Sequence, residues 1–311
     1  MKPIVLCGPT ASGKTELALA LARATGGIII SADSRQVYTR LTIGTAKPQG
    51  QWENGQYLVE GVPYYLVDFL PVTEVFNAGN FCERVRNIVA HFPNQPVIFA
   101  GGTGMYLHAY FVGMDDLPAS TPALRARLNT LLAQAGKEGL HQALAQKDPV
   151  SAAQIPMGNV QRTMRALELC LLTGKPANTL KTGKFFALPP QANSHWVYLD
   201  WAKEALQNRI VQRSNNMFEG MCAETQTLLA QGFCAQTAAL KSLGYAQVIA
   251  FLEGRQTRQQ ALDELILKTR QYAKRQRTWF NRYTNAQRIC LTTPADFDLQ
   301  KITQAVLACV K

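Results

Sequence analysis

Apolar residues fall into two patterns along the chain: short, nearly unbroken runs and longer stretches at helical spacing. Pro3 to Cys7, Ile28 to Ala32 and Pro96 to Ala100 are runs of the first kind, which predict strands buried on both faces. Glu16 to Ala24 is a Leu- and Ala-rich helical stretch closed by Gly26-Gly27, and Phe76, Phe81, Val85, Ile88, Val89 and Phe92 recur at helical spacing. A further helix is expected from Met105. Strands alternating with helices predict a parallel α/β sheet.

The pattern changes after Gly113. From Asp115 to Ser194 there is almost no strand signal. Thr121-Pro122 reads as an N-cap followed by Pro at the first helical position, with the helix running to Gly136. Asn159 to Thr173 predicts another helix, stopped by Gly174 and Pro176. A loop rich in Lys, Gly and Pro, Lys181 to Ser194, leads to a strand at Trp196 to Leu199. Trp201 to Tyr283 is again helical, broken at Gly232, Gly244 and Gly254, and Arg288 to Leu291 predicts one last strand. The expected division is a core of residues 1–114 plus 197–311 and a helical insertion of residues 115–196.

Composition narrows the class. At 311 residues, with 47% hydrophobic positions, the chain can bury a core without metal or disulfide staples. Only 17% of residues are charged, yet the net charge is +11, so acids are scarce and an anionic partner is indicated. Residues 1–114 carry net +1, 115–196 net +4 and 197–311 net +6. Lys268 to Arg288 holds seven bases and no acid, with Lys268, Arg275 and Arg282 expected on one helical stripe beside Leu265, Ile266, Tyr272, Ala273, Trp279, Phe280 and Tyr283. Phosphate contact and a solvated face both suit that segment. The seven cysteines show neither C-x-x-C spacing nor a Cys/His cluster, which predicts reduced thiols in the cytosol. No apolar run is long enough for a membrane span, and a glycine loop begins by residue 8, leaving no room for a signal peptide.

Gly8-Pro9-Thr10-Ala11-Ser12-Gly13-Lys14-Thr15 fits the P-loop pattern between an expected strand and helix. Loop amides and the helix N-terminus would surround a phosphate, Lys14 would add a charge, and the Thr15 hydroxyl would ligate Mg²⁺. The strand ending at Ala100 runs into Gly101-Gly-Thr-Gly104 instead of a Walker-B acid, although Asp33 and Asp68 do follow apolar runs. That favours transfer to an organic acceptor over hydrolysis. Asp33-Ser-Arg-Gln-Val-Tyr38 sits at the carboxyl end of the second strand, where open α/β sheets bind ligands. It could contact a base edge or simply cap a loop. Gly44-Thr-Ala-Lys-Pro48 taken alone reads as a plain turn.

In this order, GPTASGKT, ISADSRQVY, IGTAKP, GGTGMY and TRQYAKRQRTWF resemble the bacterial tRNA dimethylallyltransferases, over residues 4 to about 283. The resemblance implies a P-loop NTPase-like α/β core with an inserted helical domain and a helical C-terminal part. It implies transfer of the five-carbon group of dimethylallyl diphosphate to N6 of adenosine 37 in tRNAs reading codons that begin with U. Asp33 then matches the base, and Thr103 a residue near both substrates. Lys14 matches a catalytic cation, and Arg213 with residues 8–15 matches the diphosphate site. Contacts to the anticodon stem-loop are implied at Asp33, Ser34, Arg35, Gln36, Thr103, Arg125, Gln161, Arg162, Thr163, Met164, Arg165, Lys241, Ser242, Leu243, Gly244, Tyr245 and Ala246. Lys274 and Arg275 lie in the basic run assigned to tRNA. Mg²⁺ is the expected cofactor, and the enzyme is expected to be a cytoplasmic monomer. A prenyltransferase using free AMP or ATP, a P-loop small-molecule kinase and a non-catalytic RNA-binding protein share parts of this set.

Overall fold

The computed structural model describes residues 1–180, 183, 187–189 and 193–310. Of the loop expected over 181–194, residues 181, 182, 184–186 and 190–192 lie outside those described. The chain divides into two compact units, residues 1–111 with 188–311, and residues 112–187.

The first unit is built on β1 (Ile4–Cys7), β2 (Ile28–Ser31), β3 (Gln51–Glu53), β4 (Gln56–Val59), β5 (Val62–Tyr65), β6 (Val97–Ala100), β7 (His195–Trp201) and β8 (Gln287–Leu291). They form one sheet in the order β3-β4-β5-β2-β6-β1-β7-β8. The pairs β2–β5, β2–β6, β1–β6, β1–β7 and β7–β8 are parallel, whereas β3–β4 and β4–β5 are antiparallel. Successive strand residues face opposite sides. Ile4 and Leu6 join a core with Leu17, Leu21, Leu206, Ile210, Ile302 and Val306. Val5 and Cys7 join a second core with Phe81, Val85, Phe99, Leu107, Trp196, Phe280 and Tyr283. Helices cover both faces, so the central strands read as apolar runs without alternation.

The helices of this unit are α1 (Lys14–Thr25), α2 (Ala78–His91) and α3 (Gly104–Phe111), then, after the second unit, α7 (Lys203–Ala230), α8 (Tyr245–Leu252), α9 (Arg258–Phe280) and α10 (Leu299–Ala308). A third core joins Val37, Tyr38 and Leu41, just after β2, to Phe218, Tyr245, Val248, Leu262 and Leu265 of α7–α9. The sheet thus places the ends of β1, β2 and β6 close to α7 and α9.

Several expectations shift. A boundary at 196/197 would cut β7, whose His195 and Trp196 already pair with Ile4 and Val5, so the return to the core precedes the strand. Trp201 ends β7 and does not open the following helix. The β3–β5 meander and α10 had no counterpart in the sequence reading. The meander turns at Asn54-Gly55 and Glu60-Gly61, all four residues at positive φ, the geometry of tight hairpins. The α9 helix ends at Phe280, so Arg282 and Tyr283 lie beyond it and the stripe of Lys268, Arg275 and Arg282 does not exist as one helical face. Arg282 instead sits 4.0 Å over the Trp279 ring and bonds His108.

The second unit holds α4 (Pro122–Lys147), α5 (Pro149–Gln154) and α6 (Val160–Thr173) around Leu128, Leu140, Leu144, Met164 and Leu167. Thr121 and Asn159 cap α4 and α6 through their side chains. Gly136 (φ 66°, ψ −171°) breaks α4, so the helix expected to stop there resumes and continues to Lys147.

Candidate active site

The glycines of the first loop are required by close packing. A Cβ at Gly8 (φ 149°) would lie 3.1 Å from the Leu199 carbonyl oxygen, and one at Gly13 (φ 91°) 2.4 Å from the Phe297 ring. The loop delivers the chain into α1, whose start has no side-chain cap, so its first amides are free for an anion. Lys14 Nζ donates to the carbonyls of Gly8 (3.1 Å) and Pro9 (2.7 Å) and to Ser12 Oγ (3.4 Å). Burial pushes its ammonium down to about 8, helped by the nearby Arg213 charge and opposed by Asp33. Burial likewise lowers the Arg213 guanidinium, which Asp33 opposes.

Asp33 follows β2. Its Oδ1 accepts from the amides of Arg35 (2.8 Å) and Gln36 (3.3 Å), so the carboxylate caps its own turn as well as lining the cleft. Thr103 brackets it: the Thr103 amide donates to Ala32 O (3.0 Å), and Thr103 Oγ1 accepts from the Ser34 amide (3.0 Å). Burial, and then the Asp33 charge, push the Tyr272 hydroxyl pKa up. Gly101, Gly102 and Gly104 are small because their Cβ positions would collide with Ala32 O (2.1 Å), Gln276 Nε2 (2.0 Å) and the Trp279 ring (2.2 Å). GGTG is therefore where β2 and α9 press on the loop.

A cleft of about 860 Å³ joins the P-loop and Asp33, reaching the third loop at Gly101 and Gly102 while Thr103 stands behind its wall. Thr10–Thr15, Asp33–Gln36, Arg213, Lys241–Leu243 and Arg275 all line it. Gly8 and Pro9 are buried behind it. Gln36 is committed elsewhere, accepting from Ser31 Oγ (3.0 Å) and donating to Ala46 O (3.0 Å). Ser242 and Tyr245 are buried and Gly244 (φ 94°) starts α8, while Ala246 is exposed. Lys274 and Arg275 are exposed, with Arg275 5.7 Å over the Tyr272 ring. Arg277 and Arg288 both pair with Asp200, and Lys268 pairs with Glu264, so part of the basic run is neutralised.

The turn expected within residues 44–48 is present at 43–46, closed by the Ala46 amide donating to Ile43 O (2.9 Å), and side chains anchor it on both sides. The Thr42, Ile43 and Gly44 amides donate to the Glu224 carboxylate at 2.9, 3.0 and 2.7 Å, and Tyr245 Oη donates to it at 2.5 Å. Buried Lys47 donates to Tyr38 O (2.6 Å) and Asp68. In the second unit, Gln161 and Arg162 are exposed on α6, but Thr163 and Met164 face the core. Arg125 and Arg165 flank the fully buried Glu168 at 2.5 and 3.4 Å. Sequence reasoning missed Arg209, which donates to Ala11 O (2.7 Å) and covers Trp201, as well as Tyr64, Tyr272, Gln276 and Glu224. Arg209 had a usable signal, since it stands one turn before Arg213 on α7. The four cysteines 7, 82, 170 and 222 are buried, and desolvation pushes the Cys7 thiol up to about 12, leaving it inert.

A mostly parallel sheet, a glycine loop leading into α1, a carboxylate just after β2 and a separate helical unit define a P-loop-like α/β protein with a helical insertion. The chain belongs to the IPP transferase family, whose model matches residues 36–283. It is 51% identical over 284 residues to the tRNA dimethylallyltransferase of Elusimicrobium minutum (strain Pei191), covering 91% of this chain and 92% of that one. It is 40% identical over 285 residues to the tRNA dimethylallyltransferase of Myxococcus xanthus (strain DK1622), covering 91% and 90%. The crystal structure of the full-length tRNA isopentenylpyrophosphate transferase of Bacillus halodurans matches with a TM-score of 0.66 at 29% identity, over 99% of this chain and 96% of that one. A eukaryotic dimethylallyltransferase structure described as acting on tRNA shares the fold, with a TM-score of 0.75 at 22% identity, over 99% and 78%.

Proposed function

We propose that the protein transfers the dimethylallyl group of dimethylallyl diphosphate to N6 of adenosine 37 in the anticodon stem-loop of tRNAs reading codons that begin with U. The observation that carries this is one cleft with the P-loop on one wall and Asp33 on another. Relatives at 51% and 40% identity named for this reaction on tRNA support it over a free-nucleotide prenyltransferase or a kinase.

The adenine N6 lone pair is delocalised into the ring, so N6 is a poor nucleophile until its proton can leave. In the transfer, N6 forms a bond to C1 of the dimethylallyl group while the C1–oxygen bond breaks, its electron pair leaving with diphosphate. The N6 proton passes to the Asp33 carboxylate, which backbone amides and Thr103 hold in place. Charge growing on the leaving diphosphate is met by Lys14, Arg213 and the free amides at the start of α1. Among the described residues no cluster of three or more His, Cys, Asp or Glu could hold a metal by itself. The Thr15 hydroxyl at the start of α1 lines the cleft and suits Mg²⁺, an ion that keeps substrate and water oxygens as most of its ligands. Bound there, Mg²⁺ would neutralise diphosphate charge. No helix among the described residues is long and apolar enough to cross a membrane, and a cytoplasmic monomer suits a tRNA substrate.

The reading is tested by incubating the protein with labelled dimethylallyl diphosphate, Mg²⁺ and either unmodified tRNA or AMP. Label on tRNA is expected, and label on AMP alone would overturn the reading.

A further inference from the structure

Donor and acceptor loops meet at a single side chain. Gln276 of α9 is 5% exposed and sits between them. Its Oε1 accepts from the Thr10 amide of the P-loop (2.8 Å), and its Nε2 donates to Gly102 O (2.9 Å). Gly102 precedes Thr103, which bonds the backbone on both sides of Asp33. The space between is filled, because a Cβ at Gly102 would stand 2.0 Å from Gln276 Nε2.

We propose that Gln276 is a positioning residue for the transfer, its carboxamide fixing the spacing between the loop that holds the diphosphate and the loop that holds Asp33. This rests on the transfer reaction proposed above. Only a carboxamide of this length offers an acceptor to one loop and a donor to the other in one plane. Glu lacks the donor, Asn lacks the reach, and Met fills the volume with neither. A bimolecular transfer is sensitive to such spacing, since a displacement of about 1 Å costs on the order of 100-fold in rate. Gln276 also lines the cleft, beside Thr10 and Gly102. It acts through Thr10 and through Gly102-Thr103.

The test is steady-state kinetics of the full chain and its Gln276→Met and Gln276→Glu variants, with labelled dimethylallyl diphosphate and unmodified tRNA. Rates are normalised to the folded fraction from thermal unfolding. Both variants are expected to lose about 10- to 100-fold in kcat, with the KM for tRNA within about twofold of the parent. The Gln276→Glu rate, taken as a ratio to the parent, is expected to rise as pH falls from about 8 to about 6. A neutral carboxyl restores both a donor for Gly102 O and an acceptor for Thr10, whereas a carboxylate repels the Gly102 carbonyl. Variants that turn over within about twofold of the parent per folded molecule would overturn the proposal. So would a loss confined to the KM for tRNA, or a Gln276→Glu ratio indifferent to pH. Failure of the parent itself to label tRNA would instead overturn the transfer reading on which it rests.

Discussion

Lys14 is a half-buried ammonium among carbonyl oxygens, and its protonation depends on what else enters the cleft. Its pKa falls from the ordinary 10.5 to about 8 through burial and the Arg213 charge. Between those values the unfolded chain binds more protons than the folded one, so the contribution of Lys14 to the stability of the free protein rises with pH across that window. A bound diphosphate favours the ammonium, so the rise in Tm produced by saturating dimethylallyl diphosphate is expected to be largest below pH 8 and to shrink above it. Lys14→Met should flatten that dependence. Thermal unfolding at pH 7 and pH 9 measures it, and a parent whose gain in Tm is the same at both would contradict this account of Lys14. At Asp33, replacement by Ala should leave donor affinity within about twofold while transfer falls about 10²- to 10⁴-fold. Equilibrium binding and single-turnover rates separate the two, and undiminished transfer would exclude Asp33 as the base. Lys14 was legible in the sequence because a P-loop needs Gly and Lys at fixed spacing around a phosphate, and Asp33 because it ends an apolar strand run, its role as base being implied by the family resemblance alone. Gln276 was not legible, because its bond to Thr10 joins positions 266 apart in the chain and leaves no local pattern.

Among the elements, α7 and α9 shape the cleft more than the sheet does. Glu224 of α7 gathers three amides of residues 42–44 and the Tyr245 hydroxyl. Glu224→Ala should destabilise the chain by about 3 kcal/mol, since amides bonded to a carboxylate lose their acceptor together. Denaturant unfolding checks this, and a loss below about 0.5 kcal/mol would show that water replaces the carboxylate without penalty. On α9, Arg275 lines the cleft and has no acidic partner among the described residues, whereas Arg277 shares Asp200 with Arg288. Arg275→Ala should therefore lower the slope of log tRNA affinity against log salt by about 1 without changing donor affinity, and Arg277→Ala by less. Equal slopes for the parent and Arg275→Ala would exclude a phosphate contact there. The end of α9 was misread because Tyr283 continues the apolar spacing, although the helix stops at Phe280. The β3–β5 meander did carry a local signal in Asn54-Gly55, which opens a hairpin between strands too short to show clear alternation.

For the whole molecule, the surplus of bases is real but unevenly available. The segment sums of +1, +4 and +6 pointed to an anionic partner for the helical parts, yet pairing consumes several of the bases counted. Glu168 holds Arg125 and Arg165 in the second unit, and Asp200 holds Arg277 and Arg288 in the first. Sequence charge cannot show most of this pairing, because partners such as Asp200 and Arg288 stand far apart in the chain, although Arg165 and Glu168 are one helical turn apart. The alternation of strands and helices was legible, since sheet and helix impose different periods on apolar residues. At the centre is one cleft that brings a donor diphosphate on the P-loop to an adenine amine beside Asp33. The most direct measurement is mass analysis of nucleosides and defined fragments from tRNA reacted with dimethylallyl diphosphate by the parent and by Asp33→Ala. The account predicts N6-(dimethylallyl)adenosine in the fragment containing position 37 for the parent and almost none for the variant. Product at another position, or equal product from both proteins, would contradict it.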